Sequence, residues 1–124
     1  MNNRLFAGLG VGVVLLTVSG PLFGHHNSAA RYDEKNPVSV TGTVTEFQMI
    51  NPHIRLGFEV KEANGAVAKW AAEGGSPSGL YRRGWRTDDV KPGDQITVTG
   101  APAVDGSNVM EIKKIVTGSG KELK

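Results

Sequence analysis

Apolar and polar positions alternate with a period of two along several stretches, and that alternation predicts strands. From Val38 to Phe47, Val38, Val40, Gly42 and Val44 fall on one side and Ser39, Thr41, Thr43 and Thr45 on the other. β-branched residues dominate this run, as they do in pleated, half-buried strands. Gly42 predicts a bend or bulge, and the alternation slips near Glu46 and Phe47, as a bulge makes it slip. Pro37 cannot donate to a ladder and belongs at the strand's start. Asn51-Pro52 then breaks the run, because the residue before proline avoids the helical region. Ile54, Leu56, Phe58 and Val60 next alternate with Arg55, Gly57, Glu59 and Lys61. Asn64-Gly65 is a hairpin signal. Ala66 to Glu73 returns as a third strand, with Ala68, Trp70 and Ala72 on one face.

Ser76-Pro77 has the form of a helix N-cap followed by proline in the first turn. It predicts one or two helical turns over Ser78 to Arg83, stopped by Gly84, with Leu80 facing the core. After the turn-rich stretch Asp88 to Asp94, Gln95 to Gly100 reads as a fourth strand. Asp105-Gly106 marks a turn, and Val109 to Val116 reads as the last strand. Thr117 to Lys124 reads as a polar, frayed tail. The fold class is therefore all-β: a small five-stranded OB-like barrel with one short helix between strands three and four. A small sandwich or another five-stranded barrel is the alternative arrangement.

The first residues follow a different rule. Met1 to Arg4 is polar with one positive charge, and Leu5 to Phe23 is apolar or small and uncharged. This is the pattern of a secretory signal peptide. Val18-Ser19-Gly20 and Gly24 are the candidate cleavage points. The chain is divided accordingly: 1–24 signal peptide, 25–36 lead-in, 37–117 barrel, 118–124 tail. The expected location is periplasmic or secreted, with no stable membrane insertion after cleavage. An uncleaved N-terminal anchor is the alternative, since the leader approaches the ~20 residues a span needs.

Charge and cysteine content narrow the classes further. Arg4 is the only charged residue of the leader, so 14 basic residues become 13 against 12 acidic in the rest. The sequence pI of about 9.0 is then no sign of a nucleic-acid partner, since no basic excess remains to cover phosphates. The chain has no cysteine. Disulfides, thiolate metal sites and a cysteine nucleophile are excluded, and stability must come from packing.

Several local sequences together resemble a known family. They are His25-His26-Asn27-Ser28, Thr41-Gly42-Thr43-Val44, Asn51-Pro52-His53, Gly74-Gly75-Ser76-Pro77, Arg82-Arg83-Gly84-Trp85, Lys91-Pro92-Gly93-Asp94 and Asp105-Gly106-Ser107. The pattern is similar to that of small exported bacterial proteins catalogued as a domain of unknown function. The resemblance spans nearly the whole chain after the leader. It implies export and a single β-rich domain, and it transfers no activity. Family members often carry a tryptophan before Asn-Pro-His and an acidic or apolar residue before Gly-Ser-Pro. Here Met49 and Gly74 stand at those places, so a pocket wall built by that tryptophan would differ.

Two constellations could carry chemistry. His25, His26 and His53 are the three histidines of the chain, the minimum for a histidine-only metal site. A mature N-terminus near His25 would add its free amine, and nitrogen-rich coordination suits copper. Met49 is a candidate soft ligand. The bland alternative is solvated N-terminal histidines and a His53 that merely caps a loop. The second constellation is Arg82 and Arg83 with Trp85 and Trp70, which could grip an anionic small molecule or polymer through guanidinium forks and stacking. There the bland alternative is that Trp85 plugs the barrel while the arginines pair with Asp88, Asp89 or Glu73 on the surface. No phosphate loop, Gly-x-Ser-x-Gly or His-Glu-x-x-His is present, so the chain is not read as an enzyme. The expected role is a non-catalytic binding or accessory protein, with copper as the candidate cofactor. A structural subunit with an envelope protein partner is the remaining reading.

Overall fold

The computed structural model describes residues 28–124. The segment 1–24 expected to be a signal peptide, and His25 and His26, lie outside the described residues. The elements in chain order are α1 (Ser28–Arg31), β1 (Val38–Gln48), β2 (Arg55–Lys61), β3 (Val67–Glu73), α2 (Pro77–Arg82), β4 (Gln95–Pro102), β5 (Val109–Thr117) and β6 (Glu122–Leu123).

β1 is long enough to serve two neighbours. Its first half pairs antiparallel with β4, from Val38↔Gly100 to Thr43↔Gln95. Its second half pairs antiparallel with β2, from Thr43↔Glu59 to Gln48↔Arg55, with a register slip between Val44 and Glu46. The strand changes partners beside Gly42. A Cβ there would lie 2.5 Å from the Glu59 carbonyl oxygen and 2.9 Å from the Phe58 ring, so only glycine fits. The bend and the slip are both where the alternation of residues predicts them.

β2 and β3 form the hairpin expected from Asn64-Gly65. Gly65 has φ +84°, which glycine adopts without a Cβ penalty. Asn64 Oδ1 accepts the Ala66 amide at 2.9 Å. β4 pairs antiparallel with β5. β3 then meets β5 in parallel over Ala71–Glu73 and Val109–Glu111, and the sheet closes on itself in the order β1-β2-β3-β5-β4. This closure, with α2 between β3 and β4, is the connectivity of an OB-like barrel. The inward residues fill it: Val44, Ile54, Leu56, Phe58, Ala72, Ile96, Val98, Met110 and Ile115 are all buried. Leu80 of α2 and Trp85 join the same core.

The tail departs from the sequence reading. Instead of fraying, Glu122–Leu123 adds a sixth, two-residue strand on β5, with Leu123 opposite Ile115. Leu123 is 3% exposed. The single apolar side chain among polar neighbours is the physical reason: it has a hole at the barrel's end to fill. The lead-in packs on the barrel. Tyr32 is 3% exposed, and it forms an antiparallel bridge with Ala103.

Candidate functional site

The loop between β1 and β2 is held at its far end by Ile54, whose side chain is wholly buried. The Ile54 amide donates to the Gly75 carbonyl at 3.1 Å, and the Gly74 amide donates to the Ile54 carbonyl at 3.2 Å. This two-bond clip brings the loop against the turn that leads into α2. Gly74 is required there, since a Cβ would sit 2.9 Å from Ile54 Cγ1. Gly74 thus makes room for the clip.

His53 stands on the outside of the clip. Its ring is exposed, and Nδ1 lies 3.1 Å from the Gly74 carbonyl oxygen. A carbonyl only accepts, so Nδ1 carries the proton in this bond. In that tautomer the lone pair of the ring is on Nε2. Metal-ligating histidines use the same arrangement, with the second nitrogen donating to a carbonyl or carboxylate. Met49 is placed differently. It is half-buried and packs against the core, so its thioether is engaged in apolar contacts.

α2 begins as the sequence predicts. Ser76 Oγ accepts the Gly79 amide at 3.3 Å, and Pro77 occupies the first turn. Arg83 lies at its C-terminus, where its guanidinium folds back over Gly75; a Cβ on Gly75 would be 3.2 Å from Nη2. His53 and Arg83 therefore flank the same Gly74-Gly75 turn. Arg82 and Arg83 are exposed, and neither forms an ion pair among the described residues. Arg86 is occupied with backbone, donating to the carbonyls of Trp85 at 2.7 Å and Tyr81 at 3.2 Å.

The two tryptophans do not join the arginines. Trp85 is 1% exposed, and its indole N–H donates to the Lys124 carbonyl at 3.0 Å. Its place in the ligand-gripping set is corrected by this burial: the ring is a core plug with its one polar atom satisfied. Trp70 points inward from β3, half-buried, and stacks on Phe58 with centroids 6.1 Å apart. The expected partners of the arginines are also taken elsewhere. Glu73 binds Arg31 at 3.2 Å, and Asp89 binds Lys121.

A second cluster was not legible in the residue pattern. Tyr32 Oη donates to Glu73 Oε1 at 2.5 Å, and Arg31 reaches the same oxygen. Glu111 faces Glu73 in the β3–β5 register, and Glu34 pairs with Lys113. A lone aromatic in the polar stretch 31–36 is the one sequence signal that pointed there. Elsewhere, Asp88, Asp89, Asp94, Gln95, Thr117 and Lys121 line a polar cleft of about 330 Å³. Asp94 there accepts the Lys91 amide at 2.9 Å. Among the described residues, no group of three histidine, aspartate or glutamate side chains is arranged to hold a metal ion. Among the same residues, no helix is long and apolar enough to cross a membrane.

These features define a small OB-like barrel in which His53 and Arg83 flank one turn. The chain belongs to DUF6152, a family of unknown function, whose pattern matches residues 13–111. No curated protein matches the sequence. Among solved structures, the crystal structure of yeast Stn1 and Ten1 is similar, with TM-score 0.44 and 13% identity. The similarity covers 65% of this chain and 42% of that chain.

Proposed function

We propose that this is an exported, periplasmic, non-catalytic accessory protein that takes up a copper-type metal ion through His25, His26 and His53. The observation that carries the reading is the His53 ring, with Nδ1–H bound to the Gly74 carbonyl at 3.1 Å and Nε2 free to coordinate. A second observation supports it. Arg31 and Tyr32 both bind Glu73, the residue next to Gly74. Arg31 and Tyr32, near the start of the described residues, thus reach the residue next to the turn that holds His53. Three imidazoles without a thiolate suit copper, nickel or zinc, and copper heads the affinity series. Met49 is left out of this site because its side chain serves the core.

Two features weigh against a nucleic-acid partner. Residues 25–124 are close to neutral, and the outward positions of β2 and β3 carry no aromatic on which a base could stack.

Calorimetry with Cu(II) on the processed chain tests the proposal. One ion per chain is expected. His53→Ala is expected to weaken binding at least about tenfold, the scale on which even outer-shell partners of a ligand act. Replacing His25 and His26 should weaken it further. Unchanged affinity in His53→Ala would reduce the site to an N-terminal chelate and sink the barrel's part in it.

A second reading rests on the free guanidinium groups of Arg82 and Arg83: an anionic ligand held at the C-terminal end of α2. Without Trp70 and Trp85 it has charge but no stacking platform.

A further inference from the structure

The segment 28–36 lies as an arm across the place where β3 and β5 close the barrel. Backbone bonds hold it at two points: the Val104 amide donates to the Arg31 carbonyl at 3.0 Å, and the Asp33 amide to the Pro102 carbonyl at 2.8 Å. Side chains hold it at two more. Tyr32 and Arg31 meet on Glu73 Oε1, and Glu34 meets Lys113. Glu111 sits between these hooks, opposite Glu73 across the parallel register. Its Oε2 is buried and has no hydrogen-bond partner among the described residues.

We propose that Glu34, Glu73 and Glu111, set against Arg31, Tyr32 and Lys113, form a proton-set latch that holds the N-terminal arm on the barrel and loosens when Glu111 loses its proton. Three carboxyl groups face two cations here. Asp105 adds a fourth carboxyl group near Arg31, so acidic groups outnumber the cations even with Glu111 protonated. Ionising Glu111 adds one more negative charge, on a carboxyl oxygen that is buried and unpartnered among the described residues. Glu34 is held at the same seam by Lys113, so its charge adds to that of an ionised Glu111.

The titration directions agree on where the proton sits. Burial, and then the charge of Glu34, push the Glu111 carboxyl above its ordinary value. The Lys113 ammonium pulls Glu34 below its own. Burial and the bond to Glu73 push the Tyr32 hydroxyl well above the usual phenol range, so it stays a donor. Asp105, from the β4–β5 connection, adds a negative charge near Arg31. A carboxyl raised in the folded state contributes stability that is complete below its unfolded pKa and lost as pH rises through its folded pKa. The latch is therefore tighter below the folded-state pKa of Glu111 than above it. The arm leads to His25 and His26, so it would also regulate metal capture; that consequence rests on the function proposed above, while the latch itself does not.

Amide hydrogen exchange on the metal-free, processed protein separates the two. Protection of the Asp33 and Val104 amides, corrected for intrinsic rates, is expected to fall on the order of tenfold as pH rises, the scale of one unpartnered buried polar group. The midpoint should track the Glu111 carboxyl carbon shift, while the Val98 amide in the core stays protected. Glu111→Gln supplies a donor without a charge and should keep the arm protected at every pH. Glu34→Gln should move the midpoint to lower pH. Flat protection in the wild type, or a midpoint that survives Glu111→Gln, would overturn the latch whatever calorimetry finds for copper.

Discussion

Removal of residues 121–124 is expected to destabilise the barrel by about 3 kcal/mol. Leu123 fills the barrel's end beside Ile115 at 3% exposure. Losing a buried leucine costs about 2–5 kcal/mol, and a two-residue strand at the chain's end belongs at the low limit, about 2. The Lys124 carbonyl accepts the Trp85 indole N–H at 3.0 Å, and a buried donor left alone costs about 1 kcal/mol more. The Lys121–Asp89 pair on the surface adds little. For a domain of this size about 3 kcal/mol corresponds to a fall in Tm of about 15 °C. Urea unfolding followed by tryptophan emission measures it, and Trp85 should also shift to the red as water reaches it. A point variant isolates the apolar part: Leu123→Ala should reproduce about 2 kcal/mol of it. A truncated chain whose stability stays within about 0.5 kcal/mol of the intact one, with unchanged emission, would show that the tail is an ornament and Trp85 is closed in by other residues.

The remaining predictions concern the bend and the arginines. Gly42→Ala should cost about 3 kcal/mol, the upper part of the overpacking range, because the new methyl meets the backbone oxygen of Glu59 at 2.5 Å and cannot move it aside; a loss below about 1 kcal/mol in urea unfolding would mean that β1 can shift partners without its glycine. Arg82→Glu with Arg83→Glu should leave stability within about 0.5 kcal/mol, as neither side chain has an ion-pair partner among the described residues. The same pair of changes should abolish retention on a polyphosphate matrix if the anionic reading holds, and unchanged retention would dispose of it.

Much of the barrel could be read from residues because its determinants are local. Asn64-Gly65, Ser76-Pro77 and the alternation of Ile54, Leu56, Phe58 and Val60 each specify their own conformation, and each element formed where they stand. The parts that could not be read depend on partners far along the chain. Leu123 looks like one apolar residue in a polar tail until Ile115 and Trp85 are seen beside it. Tyr32 looks like a surface aromatic until Glu73, 41 residues on, takes its hydroxyl. Trp85 follows the same rule in reverse. Beside three arginines in sequence it resembled a stacking platform, yet α2 ends just before it and turns the ring into the core.

The candidate site shows why histidine count alone is a poor guide. What raises His53 above an idle loop residue is the carbonyl of Gly74, and that carbonyl is available because Ile54 clips the loop to the turn. The clip needs a residue without a Cβ at position 74. The same turn is next to Glu73, on which the N-terminal arm is fastened by Tyr32 and Arg31. A substitution at Gly74 would therefore act on both halves of the proposed site at once, through the His53 hydrogen bond and through the position of Glu73. Gly74 is thus the joint between the loop and the arm.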